Sequence, residues 1–110
     1  MLMDPECWMN HISLNLTTGL DPKGRKLRPA QGFEAADYFF PGYWVWNKVI
    51  ENLAYLGYDN NNMLMMSYDW RLSPENMELR DKYFTRLKQM IEIMVNNKAK
   101  AKAVVLGHSM

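Results

Sequence analysis

The sequence predicts an α/β fold built on a parallel βαβ unit, and three observations predict it. Two short apolar runs, Met63-Leu64-Met65-Met66-Ser67-Tyr68 and Ala103-Val104-Val105-Leu106, have the length and bounds of buried strands. Between them, residues 74–96 carry apolar side chains at helical spacing. The second run then breaks into Gly107-His108-Ser109, the way a sharp strand-to-helix turn begins. Two apolar strands joined by a helix call for a right-handed parallel crossover. A parallel sheet needs both faces covered, which two strands cannot supply, so the expected sheet is incomplete. Residues 1–110 read as one partial domain. Residues 1–37 form an irregular, lid-like segment, and residues 38–110 run helix, strand, helix, strand, turn.

Each element has its own reason. Over residues 1–37, Gly19, Asp21-Pro22, Gly24, Pro29 and Gly32 interrupt any period. So long a loop in a compact domain is usually a lid or other functional segment. A short strand is admitted over residues 33–40. Residues 43–57 read as a helix after Pro41-Gly42, with Trp46, Val49, Ile50, Leu53 and Leu56 on one face and Gly57 as its stop. After the first apolar run, Asp69-Trp70-Arg71-Leu72 turns the chain. Ser73 then offers an N-cap and Pro74 suits the first helical position. Met77, Phe84, Leu87, Ile91 and Met94 give the following helix one apolar face to about Asn96. Glu78 and Lys82 fall at the spacing of an ion pair on its wet face.

Composition narrows the function. Apolar residues make up 48% and aromatics 13%, which excludes a disordered chain. Ten methionines suit adaptable core filling, with a lipid-contacting surface as the alternative. A formal net charge of +1 gives no electrostatic case for nucleic acid. The basic cluster Lys98, Lys100 and Lys102 sits at a helix end, where cations offset the dipole. No window of 18 apolar residues marks a transmembrane helix, and the first residues lack the pattern of a secretory signal. A single cysteine, Cys7, supports neither an internal disulfide nor a metal cluster, and no metal or cofactor is expected. Asn15-Leu16-Thr17 is an N-glycosylation sequon, which points to a secretory compartment.

Ser109 is the candidate nucleophile. A serine hydroxyl is weak until a base takes its proton, and a strained turn at a strand end lifts it clear of the sheet for a distant base. The backbone N–H of the next residue, Met110, is the expected oxyanion donor. In such enzymes the order is serine, then acid, then histidine, so His11 has the wrong place to serve as base. His108 sits beside the serine in a packing position. Asp69 and Arg71 flank Trp70 just past a predicted strand end, the edge where α/β sheets bind ligands. A structural ion pair that fixes the turn is the expected role, ahead of direct substrate contact.

Four segments occur together in order: Cys7-Trp8, Thr18-Gly19-Leu20-Asp21-Pro22, Tyr68-Asp69-Trp70-Arg71-Leu72 and Gly107-His108-Ser109-Met110. With them the sequence resembles the lecithin:cholesterol acyltransferase family, and within it the fungal phospholipid:diacylglycerol type. The resemblance implies an α/β-hydrolase-like acyltransferase of the endoplasmic reticulum membrane, with its catalytic domain in the lumen. It implies transfer of an acyl group from phospholipid to diacylglycerol through an acyl-serine on Ser109, giving triacylglycerol at a membrane surface. Asp69 and Arg71 match the family's salt-bridge motif. Cys7 and Trp8 match the end of a lid segment, where a disulfide to an upstream cysteine is implied, and no cysteine precedes Cys7 here.

Against that pattern, these 110 residues hold no membrane anchor, no second glycine after Met110, and neither the acid nor the histidine of a triad. Loss of triad partners costs on the order of 10⁴ to 10⁶ in rate, so this stretch alone is expected to be inactive. Two alternatives stand beside acyl transfer. One is a lipase or phospholipase of the same fold, with water as acceptor. The other is a truncated product with no function.

Overall fold

The computed structural model describes residues 4–98 and 101–109. Helix α1 spans Pro5–Ile12 inside the segment expected to be irregular. Its start follows from local chemistry. The Asp4 carboxylate accepts from the Cys7 N–H, Pro5 sits at the first helical position, and Glu6 lies in the positive first turn. The Ser13 hydroxyl closes the other end on the Met9 carbonyl at 2.6 Å. A one-turn helix α2, Glu34–Asp37, leads into a hairpin of β1 (Tyr38–Phe40) and β2 (Tyr43–Trp44). The strands are antiparallel, with Tyr38 opposite Trp44 and Phe40 opposite Tyr43.

The expected helix over residues 43–57 is thereby shortened to α3, Asn47–Tyr55. Pro41-Gly42 forms the hairpin turn instead of the helix start, with proline presetting its φ and Gly42 at φ +92°. Gly57 stops the chain as expected, at φ +88°.

The parallel βαβ unit is not formed among the described residues; the hairpin is their sheet. Residues 63–68 lie against the helical side of the molecule. The Tyr83 hydroxyl donates to the Met66 carbonyl at 3.3 Å, and the Tyr68 and Tyr83 rings meet at 5.5 Å. Residues 103–106 are open to solvent, with Val104 83% and Val105 68% exposed. The physical reason is partnership. An apolar run becomes a strand only when neighbours satisfy its backbone and cover its faces. A two-residue turn makes that pairing locally for the hairpin.

The single long helix is two. Helix α4 spans Pro74–Asp81 and α5 spans Tyr83–Asn97, with Lys82 between them in the left-handed region at φ 53°, ψ 38°. Glu78 bridges the break rather than pairing with Lys82. Its carboxylate accepts from the Phe84 and Thr85 N–H groups at 3.0 and 3.1 Å and from the Thr85 hydroxyl, so it caps α5. The Thr85 hydroxyl leads the contacts that hold the Glu78 carboxyl below its ordinary range. Ser73 caps α4 through the Asn76 N–H, with Pro74 at the first position, as the sequence predicts.

The radius of gyration, 16.8 Å, exceeds the roughly 13 Å of a closed domain of this length. Among the described residues the buried ones are Asp69 (5% exposed), Leu72 (4%) and Met77 (8%), at the corner where the turn after residue 68 is tied to α4.

Candidate functional site

Asp69 is the buried carboxylate of this corner. The turn over residues 69–72 is closed by the Leu72 N–H on the Asp69 carbonyl at 3.1 Å. That turn aims the Arg71 guanidinium back at its own carboxylate. Arg71 Nε and Nη2 donate to Asp69 Oδ1 and Oδ2 at 2.8 and 2.7 Å, and the Arg71 N–H adds a bond of 3.2 Å. Such a two-pronged pair is stronger than a point contact. Arg80, in the last turn of α4, donates Nη2 to Asp69 Oδ2 at 2.8 Å. Burial pushes the Asp69 carboxyl up, but the bonds from Arg71 and Arg80 outweigh it and hold it at about 2. Asp69 in turn raises the Arg71 guanidinium.

The pair extends into a six-residue network. Asp21 Oδ1 lies 3.4 Å from Arg71 Nη2 and 3.1 Å from Arg80 Nη1, and its Oδ2 meets Arg28 Nη1 at 2.5 Å. Asp81 binds Arg80 in two-pronged fashion at 2.9 and 2.6 Å and sits 3.4 Å from Arg28 Nε. Three arginines face three aspartates, so the cluster carries no net charge. Burying charge costs several kcal/mol per ion unless it is paired and hydrogen-bonded in this way. Arg71 Nη1 also donates to the Ile12 carbonyl at 2.8 Å, which ties the end of α1 to the same point.

A second tie joins the loop over residues 15–20 to α4. Asn15 Oδ1 accepts from the Thr17 and Thr18 N–H groups, and its own N–H bonds the Leu20 carbonyl. The loop carries Gly19 at φ +64° against Asn76, whose Nδ2 donates to the Thr18 and Gly19 carbonyls at 3.1 and 3.2 Å. A Cβ on Gly19 would lie 2.7 Å from that nitrogen, so glycine is needed here for both conformation and space. An open groove of about 480 Å³ lies alongside, lined by Met9, Ile12, Leu14, Leu16, Trp70 and Arg71 among others.

The motifs singled out from the sequence therefore meet in part. Thr18 to Pro22 and Asp69 to Leu72 are brought together through Asp21, Arg71 and Arg80. Asp69 and Arg71 pair as the sequence predicts. Cys7 is free and exposed on α1, and the neighbouring Trp8 is exposed. His11 Nδ1 donates to the Cys7 carbonyl at 3.0 Å and lies 3.8 Å from its Sγ, so His11 is held within α1.

Ser109 stands apart from this corner at the end of the exposed run. Its φ is 68°, a left-handed value that a side-chain-bearing residue rarely adopts. The His108 ring contacts Trp46 edge to face, with centroids 6.0 Å apart and planes at 90°. Met110, the expected oxyanion donor, lies outside the described residues, as does Lys100.

Arg28, Arg80, Asp81 and Asn76 escaped sequence reasoning, and Asp21 was seen only as a motif member. For Asn76 and Arg80 a signal was present. Asn76, Met77 and Arg80 share a face of α4 at spacings of three and four, so the buried Met77 marks that face as inward.

The family model for lecithin:cholesterol acyltransferase matches residues 1–110. A phospholipid:diacylglycerol acyltransferase of Schizosaccharomyces pombe is 61% identical across the whole chain, which spans 17% of that relative. The enzyme of the same name from Saccharomyces cerevisiae is 50% identical, again across the whole chain and 16% of the relative. A phospholipid–sterol O-acyltransferase of Arabidopsis thaliana is 31% identical, with 18% of its length covered. The chain thus spans about a sixth of the length of these relatives. No solved structure matches it.

Proposed function

We propose, from the premise that this chain belongs to the lecithin:cholesterol acyltransferase family, that its Ser109 is the nucleophile of an acyl transfer from phospholipid to diacylglycerol. The observation that carries the reading is the left-handed backbone of Ser109, a side-chain-bearing residue at the end of an apolar run. Strain of this kind collects at functional sites and is how an elbow presents its serine.

In the proposed reaction, Ser109 Oγ attacks the ester carbonyl of the phospholipid and its proton passes to a general base. The C–O bond to the glycerol breaks, and lysophospholipid leaves with that proton. A hydroxyl of diacylglycerol then attacks the acyl-serine, gives its proton to the base, and departs as triacylglycerol while Ser109 is restored. The Met110 N–H is assigned to the oxyanion. His11 is bound within α1 and His108 faces Trp46, so the base is assigned to the rest of the full-length protein. Asp69 and Arg71 hold the turn beneath Trp70 and take no part in bond making. In the complete protein, residues 63–68 and 103–106 are assigned to a parallel α/β-hydrolase-like sheet, with residues 1–37 as a lid-like segment.

Among the described residues no helix is long and apolar enough to cross a membrane. The lumen of the endoplasmic reticulum, beside a membrane that holds both lipids, is the proposed setting. Asn15, exposed at the head of its sequon, supports it. Expression in a eukaryotic secretory host should give an endoglycosidase-sensitive band that Asn15→Gln removes. A band of unglycosylated mass would count against the lumenal setting.

The reaction is tested with the full-length protein, phospholipid and labelled diacylglycerol. Labelled triacylglycerol is the expected product, and Ser109→Ala should abolish it while leaving the fold intact. Free fatty acid without labelled triacylglycerol would instead establish a phospholipase.

A further inference from the structure

The left-handed backbone at Ser109 raises the question of what holds it. Residues 101–109 are exposed, and a Cβ on Gly107 would have nothing within 4 Å. A left-handed φ in a side-chain-bearing residue persists only where surrounding contacts fix it. The contact at hand is the Trp46–His108 ring pair, formed between residues far apart in sequence and one position from Ser109. Trp46 is itself well anchored. Its N–H bonds the Ala36 carbonyl at 3.1 Å, its carbonyl accepts from the Ile50 N–H at 2.9 Å, and it stands at the first position before α3.

We propose that Trp46 is a positioning residue for Ser109, acting through the edge-to-face contact of its indole with the His108 ring. The inference rests on Ser109 being the nucleophile. Trp46 touches neither substrate nor the reacting atoms. Its ring limits rotation of the peptide units on either side of His108, and so keeps the Ser109 hydroxyl in one orientation. Edge-to-face ring pairs are worth enough to shift such an orientation by about two- to tenfold in population.

The test is the rate at which a fluorophosphonate probe labels the full-length protein, read with the kcat and KM of acyl transfer. Trp46→Leu should slow labelling and lower kcat by about two- to tenfold, with KM for phospholipid unchanged. Trp46→Phe, which keeps a ring, should restore both. His108→Ala should reproduce the loss, and the Trp46→Leu/His108→Ala double variant should be no worse than either single one. This cycle guards against a variant that merely unfolds. Wild-type labelling in Trp46→Leu would overturn the inference, as would equal loss in Trp46→Phe and Trp46→Leu, or strict additivity in the double variant. Each of these leaves the Ser109 reading intact. A wild-type protein that the probe does not label, or labels equally after Ser109→Ala, removes the Ser109 reading and this inference with it.

Discussion

The corner around Asp69 and the run that ends at Ser109 are built on opposite plans. At the corner, polar side chains do the joining. Asp69, Arg71, Asp21 and Arg80 bond one another within 3.4 Å, and the turn, loop and helix that carry them are each capped locally. Along the run, apolar residues 103–106 stand in solvent, and a single ring pair is the tie described above. Directional bonds between charged groups fix a geometry from few residues, because each arginine fork fits only one arrangement of carboxylates. Apolar strands have no such self-sufficiency. Their geometry comes from what is packed and paired around them.

The sharpest way to break this contrast is to take the centre out of the corner. Asp69→Ala leaves two arginines facing each other without the carboxylate that joins them. Removal of one partner from a buried pair costs about 3–5 kcal/mol. Urea denaturation should show a loss of that size, and acyl transfer by the full-length protein should fall with it. A loss below 1 kcal/mol would mean that the corner behaves like an exposed ion pair such as Lys48–Glu51.

Acid titration probes the same carboxylate without a mutation. Asp69 titrates near 2 when folded, against an ordinary 3.8, because arginine bonds outweigh its burial. A carboxylate depressed on folding contributes stability that is fully present above 3.8 and is lost as pH falls through about 2. The gap corresponds to about 2 kcal/mol. Stability measured between pH 5 and pH 2 should therefore fall, and the fall should be shallower in Asp69→Asn. Identical pH slopes for the two proteins would refute the assignment to Asp69.

Gly19→Ala asks whether the loop over residues 15–20 depends on the corner. The added methyl meets Asn76 Nδ2 at 2.7 Å and the φ of +64° is unfavourable for alanine, for a cost of about 1–2 kcal/mol. Asn76→Ala removes the clash but not the backbone strain, so the double variant should recover only part of the loss. Full recovery would show that the left-handed backbone costs nothing here.

These residues also mark what the sequence makes legible. Ser73-Pro74 announces α4, and Asp69 with Arg71 announces their pair, because cap and turn chemistry is local. Asp4-Pro5-Glu6 is a start signal of the same local kind for α1, and the reading of residues 1–37 as irregular passes over it. The links from Asp21 to Arg71 and Arg80 span 50 and 59 residues, and no local rule reports such a closure. The apolar runs at 63–68 and 103–106 are plain in the sequence as apolar. Their strand state depends on partners, and so is not written in the runs themselves.

The break between α4 and α5 is the smallest and most local case. Apolar periodicity runs from Met77 through Met94 without a glycine or proline to interrupt it, yet Lys82 adopts φ 53°, ψ 38°. A lysine in the left-handed region costs about 1 kcal/mol relative to glycine. Glu78 offsets that cost by capping α5 through the Phe84 and Thr85 N–H groups, a partner that a straight helix would not need. Lys82→Gly should therefore stabilise the protein by up to about 1 kcal/mol, reduced by the extra freedom glycine gives the unfolded chain. Glu78→Gln should act the other way by weakening the cap. If Lys82→Gly instead destabilises, by the roughly 1 kcal/mol that glycine costs inside a helix, the two helices are one in solution, and periodicity rather than the local cap decides this stretch.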